Sequence, residues 1–128
     1  DWPNIFRIAR FYPAVEYIQA NRARALAIPQ VSALFEQVDI LVTPTSETQL
    51  VATNLTGHPA LILPNGLRGP DAPAPPSTDD GNNDNIGGPG TPVSITFLAG
   101  HYQEAKLAAF ANAYQQATGF QHLHPRLD

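Results

Sequence analysis

The sequence predicts an α/β chain, part of a mixed β-sheet flanked by helices, and three observations carry that expectation. Apolar residues recur at helical spacing in Val31, Leu34, Phe35 and Val38, and Leu107, Ala111 and Tyr114 repeat the spacing with Thr118 on the same face. Three short apolar stretches, DILVTPT at 39–45, ALIL at 60–63 and PVSITFLAG at 92–100, read as strands. Three strands do not make a comfortable independent α/β sheet, so the sheet is expected to be completed from outside these residues.

Taken in order, residues 2–11 read as a short helix or turn, and Pro13 suits the first turn of the helix that follows. Val15, Ile18 and Leu26 fall at helical intervals, and Pro29 either kinks that helix or starts a second one. DILVTPT is a buried strand stopped by Pro44. A short helix over 46–56 ends at Gly57, which suits the left-handed position after a helix. The unbroken apolar run Ala60–Leu63 predicts a strand buried on both faces. In 92–100, Val93, Ile95 and Phe97 alternate with Ser94 and Thr96, which predicts a strand with one face less buried. The last helix presents Leu107, Ala111, Tyr114 and Thr118 on one face, with Phe110 and Ala117 beside it, and Gly119 stops it. Between the second and third strands, residues 67–91 hold five prolines and five glycines and read as a surface excursion of flexible composition.

Composition bounds the function classes. At 128 residues and 43% hydrophobic content the chain is one domain's worth of globular protein. No apolar run approaches the ~20 residues of a membrane helix, so no membrane partner is expected and a cytoplasmic location is the default. The net charge of −4 comes largely from Asp71, Asp79, Asp80 and Asp84, opposed locally only by Arg68. Nothing resembles a basic nucleic-acid footprint, and the cluster Arg7, Arg10, Arg22 and Arg24 reads as a solvated helix face. Cysteine is absent, which removes thiol nucleophiles and thiolate metal sites. Methionine is absent too and the chain begins at Asp1, so it is expected to be a piece of something longer.

Catalytic motifs are missing. Ser32, Ser46, Ser77 and Ser94 lie in no G-x-S-x-G or S-x-x-K pattern. GGPG at 87–90 lacks the Lys-Ser/Thr of a phosphate loop. His122 and His124 are two apart, His58 and His101 lie elsewhere, and no convergent ligand set follows; no metal and no cofactor is expected. The NLT triplet at 54–56 adjoins a core strand and is not read as a glycosylation site. Asp39 is placed to cap or pair near a helix end, and Glu104 suits the first turn of the last helix. Glu47 stands out among the acids because it follows Pro44-Thr45-Ser46 at the carboxyl end of a strand, the edge where open α/β sheets bind ligands.

In order, DILVTPT, NLTGHPALILPNG, an apolar strand and EAKLAAFANAYQQATGF resemble the carboxyl-terminal part of the amidase signature family, which includes bacterial amidases and the A subunit of aminoacyl-tRNA amidotransferases. RIARFYPAVEYIQANRARAL is similar to the long helix that precedes the first of these strands in the family. The resemblance covers nearly all of residues 1–128 and implies a carboxyl-terminal segment of an α/β/α fold, incomplete in this chain. It implies amide C–N cleavage by a lysine, a cis-serine and a nucleophilic serine in an upstream region that this chain lacks; Lys106, the only lysine, lies on the final helix. Catalytic residues here are therefore expected to be none. Glu47 sits where amidotransferase relatives carry an acidic substrate contact, and Asn54 and Thr56 lie on the turn beside the pocket, so these three are the expected substrate-binding residues. Ser94-Ile95-Thr96 replaces the family's Gly-apolar-Gln, which points to a divergent amidase. The expected partners are the upstream part of the same polypeptide and a small amide substrate, with self-association left open. The alternative is a non-enzymatic fold remnant, a protein-interaction module.

Overall fold

The structure is a computed structural model that describes residues 2–45, 48–73 and 87–124. Helix α1 spans Trp2–Ile8 and runs into a 3-10 turn at Ala9–Phe11. Pro13, with extended ψ, then opens α2 (Ala14–Ser32): its carbonyl accepts from the N–H groups of Glu16 at 3.0 Å and Tyr17 at 3.2 Å. Pro29 neither stops α2 nor starts a new helix. The helix carries through it, the Ala33 N–H still donates to the Pro29 carbonyl, and the chain tightens into a 3-10 turn at Ala33–Glu36.

Strand β1 (Leu41–Pro44), helix α3 (Thr48–Thr56), strands β2 (Ala60–Leu67) and β3 (Pro92–Leu98), and helix α4 (Glu104–Thr118) complete the fold, with a last 3-10 turn at Phe120–His122. Gly57 at φ +79° and Gly119 at φ +66° take the left-handed positions that end α3 and α4, as their sequence contexts require. The three strands are ordered β1-β3-β2 and both pairings are antiparallel. The α/β class is as expected, while the sheet within this chain is antiparallel throughout rather than mixed. Beyond Leu67, the Arg68 N–H donates to the Thr91 carbonyl at 2.8 Å and the Gly90 N–H to the Arg68 carbonyl at 2.9 Å. The Pro/Gly-rich excursion is thus tied at its base; its residues 74–86 lie outside the described residues.

Two expectations about burial exchange places. β3, expected to have the less buried face, is the central strand, and Thr96, Phe97, Leu98 and Ala99 are buried in succession. β2, expected to be covered on both faces, lies at an edge of the sheet; Leu61 and Leu63 join the core while Ala60 and Ile62 are exposed. The reason is topological: a strand with neighbours on both sides is shielded whatever its own polarity. An apolar run at an edge is shielded only where another layer covers it.

The core lies between the sheet and α4. Leu63, Phe97, Ala99, Leu107 and Ala111 form it, with Ile40, Leu61, Ile95 and Tyr114 packed around. Phe97 meets the edges of Phe110 and Tyr114 at centroid distances of 5.0 and 5.1 Å, the T-shaped arrangement favoured by aromatic quadrupoles. The Tyr114 hydroxyl donates to the Asn65 side-chain oxygen, which ties α4 to β2 within the irregular pairing between Pro64 and Leu67. Across the α2–α3 contact, the Arg24 guanidinium donates to the Leu55 carbonyl near the carboxyl end of α3, where the helix dipole favours a cation.

Candidate functional site

The most polar interior of the molecule lies where the end of α3 turns into β2. Its geometry follows from the sheet register. Ala60 pairs with Leu98 and the Ala99 N–H donates to the Pro59 carbonyl at 3.2 Å, so the approach to β2 runs alongside the exit from β3. This brings His58 beside His101, 43 residues later in the chain, with ring centroids 3.9 Å apart and planes 21° from parallel. Phe35, from the 3-10 turn after α2, stacks on the other side of His58 at 5.2 Å. His58 is only 5% exposed.

Every ring nitrogen of His58 has a partner. Its Nδ1 lies 2.8 Å from Thr56 Oγ1, and its Nε2 lies 3.2 Å from Ser32 Oγ. The Thr56 hydroxyl donates its one proton to the Ala52 carbonyl at 2.9 Å. It must therefore accept from His58, which places the proton on Nδ1 and leaves Nε2 to accept from Ser32. His101 donates from Nε2 to the Thr56 carbonyl at 2.9 Å. Burial, and after it the charge of the neighbouring His101, push the His58 pKa below its ordinary value of 6.5. The uncharged ring that results is the form the tautomer assignment requires. Chemically, this is a chain of hydroxyl, imidazole and hydroxyl that joins α2 to the α3–β2 turn and can accept a proton only at a cost.

The stack forms one side of a cleft of about 390 Å³ lined by Ser32, Phe35, Asp39, Gly100, His101 and Lys106, among others. The loop below it, from β3 to α4, contains Tyr102 at φ +62°, a left-handed conformation unusual for a bulky residue. Across the cleft, Lys106 Nζ donates to Asp39 Oδ1 at 2.6 Å. That hydrogen bond, and then the lysine charge, hold the Asp39 carboxyl below its usual 3.8. Both partners are well exposed, so the pair joins α4 to the start of β1 weakly. Asp39 thus pairs, as its position at a helix end suggested.

Of the expected substrate-binding residues, Thr56 is buried and its hydroxyl is engaged by Ala52 and His58. Asn54 is exposed on α3, one turn from the stack. Glu47 lies outside the described residues. His122 and His124 are exposed beyond α4, apart from the His58–His101 pair. Among the described residues no group of three or more His, Cys, Asp or Glu side chains is gathered to hold a metal ion. The residues that sequence reasoning passed over are Ser32, Phe35 and His101. An antiparallel register placing His58 opposite Gly100 would have found His101, and short apolar strands fix that register weakly on their own; Ser32 and Phe35 arrive through the packing of α2, which no local pattern shows.

With this geometry in place, the comparisons with known proteins become informative. No protein-family model matches the chain, and no solved structure matches it significantly. Curated proteins do. The chain is 30% identical over 139 aligned residues to the A subunit of the glutamyl-tRNA(Gln) amidotransferase from Thermosynechococcus vestitus, covering 93% of this chain and 25% of that protein. The corresponding subunit of Nocardia farcinica is 29% identical over 80% of the chain, and that of Deinococcus radiodurans 26% over 86%. The chain spans about a quarter of the length of the curated relatives it matches. Along nearly its whole length the chain is thus similar to a segment of these amidotransferase A subunits, in keeping with its resemblance to the carboxyl-terminal part of the amidase signature family.

Proposed function

We propose that the chain is the carboxyl-terminal portion of an amidase-type hydrolase that cleaves a carboxylic amide C–N bond. The observation that carries this reading is the alignment of 93% of the chain with a relative whose remaining length would hold the catalytic groups. In this reading the sheet β1-β3-β2 is one part of a larger mixed sheet between helix layers, and the protein works in the cytoplasm. A neutral lysine draws a proton through a cis-serine from the attacking serine, and backbone N–H groups hold the oxyanion. All three residues belong to the upstream part of the polypeptide.

The described chain then supplies a wall of the pocket. Glu47 and Asn54 are the residues proposed to reach the amide substrate. Thr56, buried at the end of α3, fixes the turn through Ala52 and His58. Exposed apolar residues on α1 and α2 also suit the interaction-module alternative, which keeps the contacts and drops the chemistry.

The test is ammonia release from a panel of small carboxamides. The complete product of the reading frame is expected to release ammonia, to lose that activity after treatment with a sulfonyl fluoride, and to owe none of it to residues 1–128 alone. Turnover by the 128-residue chain would contradict the assignment of the catalytic groups. A complete product with no turnover on any carboxamide would favour the interaction module.

A further inference from the structure

Helix α2 carries two apolar stripes on opposite sides. By the 3.6-residue repeat, Tyr17, Ile28 and Val31 fall on one side and Val15, Ile18 and Leu26 on the other. The first side is the one toward which Asn21, Ala27, Ile28, Val31 and Ser32 become half-buried, in keeping with the α2–α3 contact. The second side is the more open: Val15, Ile18 and Leu26 are 57%, 51% and 70% exposed. No residue of α1 or α2 is fully buried, although Trp2, Ile5 and Phe6 of α1 are large and apolar. Glu16, Arg22 and Arg24 interrupt the apolar surface of α2, with Arg22 between Ile18 and Leu26, yet apolar residues on both sides of a helix suit a place between two layers, and only the side toward α3 is half-buried here. Ile62 repeats the pattern on the sheet, where an apolar run at the β2 edge is left exposed.

We infer that the outer stripe of α2, Val15–Ile18–Leu26, together with α1, is the surface on which the rest of the polypeptide docks. The occupant is an apolar helical layer from the three quarters of the relatives' length that this chain does not match. A second copy of the chain is the less favoured occupant, since the relatives supply the missing mass within one polypeptide. The inference rests on the proposed function only in taking the chain as part of a longer amidase-type protein.

The test compares one variant in two settings. Ile18→Glu/Leu26→Glu is expected to leave the melting temperature and helical circular dichroism of the 128-residue chain unchanged, because neither side chain is packed there. In the complete product of the reading frame the same pair is expected to cut the soluble, folded yield several-fold. A second readout does not depend on folding loss. Leu26→Cys, in a chain without cysteine of its own, should react quickly with a maleimide in the 128-residue form and be protected in the complete product. Equal tolerance and equal labelling in both settings would overturn the inference. So would a reading frame encoding no further polypeptide, with the 128-residue chain sedimenting as a dimer and its double variant as a monomer. A complete product that protects Leu26→Cys yet releases no ammonia would overturn the proposed reaction and leave this interface standing.

Discussion

Replacing Phe97 with alanine is expected to remove about 3–5 kcal/mol of stability, the largest single effect available in the molecule. Phe97 is 1% exposed near the end of the middle strand, and its ring meets both Phe110 and Tyr114 across the sheet–helix interface. Truncation leaves a cavity that the surrounding sheet cannot close, because β3 is pinned on both edges by β1 and β2. A whole domain has only about 5–15 kcal/mol to lose, and this core is small. Urea denaturation followed by tyrosine fluorescence and circular dichroism should show the variant unfolded or nearly so. A loss below about 1 kcal/mol would mean that the core is not organised around Phe97.

Substitution of His58 by phenylalanine is the second large expected effect, roughly 1–3 kcal/mol for each buried group left unpaired. A phenyl ring fits between Phe35 and His101 but cannot accept from Ser32 or donate to Thr56. The pH dependence separates this from a general packing defect. Because the folded pKa of His58 lies below the unfolded value near 6.5, the unfolded chain takes up the proton more readily. Stability from the neutral ring is therefore complete above 6.5 and is lost as the pH falls from there through the folded value. Asp39, also lowered in the folded state, adds its own loss from about 3.8 downward, in more acid solution than the onset for His58. The melting temperature should drop between about pH 7 and about pH 5 in the parent chain, and much less in His58→Phe. An identical pH profile in both would show that the network does not hold His58 neutral.

Helical periodicity made α4 legible almost to the residue, because Leu107 and Ala111 sit on its one buried face and Gly119 supplies a left-handed stop. Gly57 did the same for α3. Burial of the strands was not legible. The polarity of a strand records what covers it in the finished protein, and β2 and β3 differ here in their place in the sheet rather than in their side chains alone. Pro29 left a kink or a second helix open; no second helix starts there, because near the end of α2 a proline forfeits one hydrogen bond and the helix still continues to Ser32. The polar turn NLTGHP announced something worth stabilising, but the residues meeting it come from 32–35 and from 101. Contacts at such separation are set by strand register for His101 and by helix packing for Ser32 and Phe35, not by local pattern.

The interior histidine stack, the uncovered stripe of α2 and the open face of β2 point the same way, to a segment shaped by what it packs against. The most direct measurement is the intact mass of the natural gene product, expressed untagged from its own reading frame. The chain matches a quarter of its relatives' length, so the expected mass is about four times the 13.8 kDa of residues 1–128. A product near 13.8 kDa would contradict the account, since it would leave the amidase chemistry with nowhere to reside.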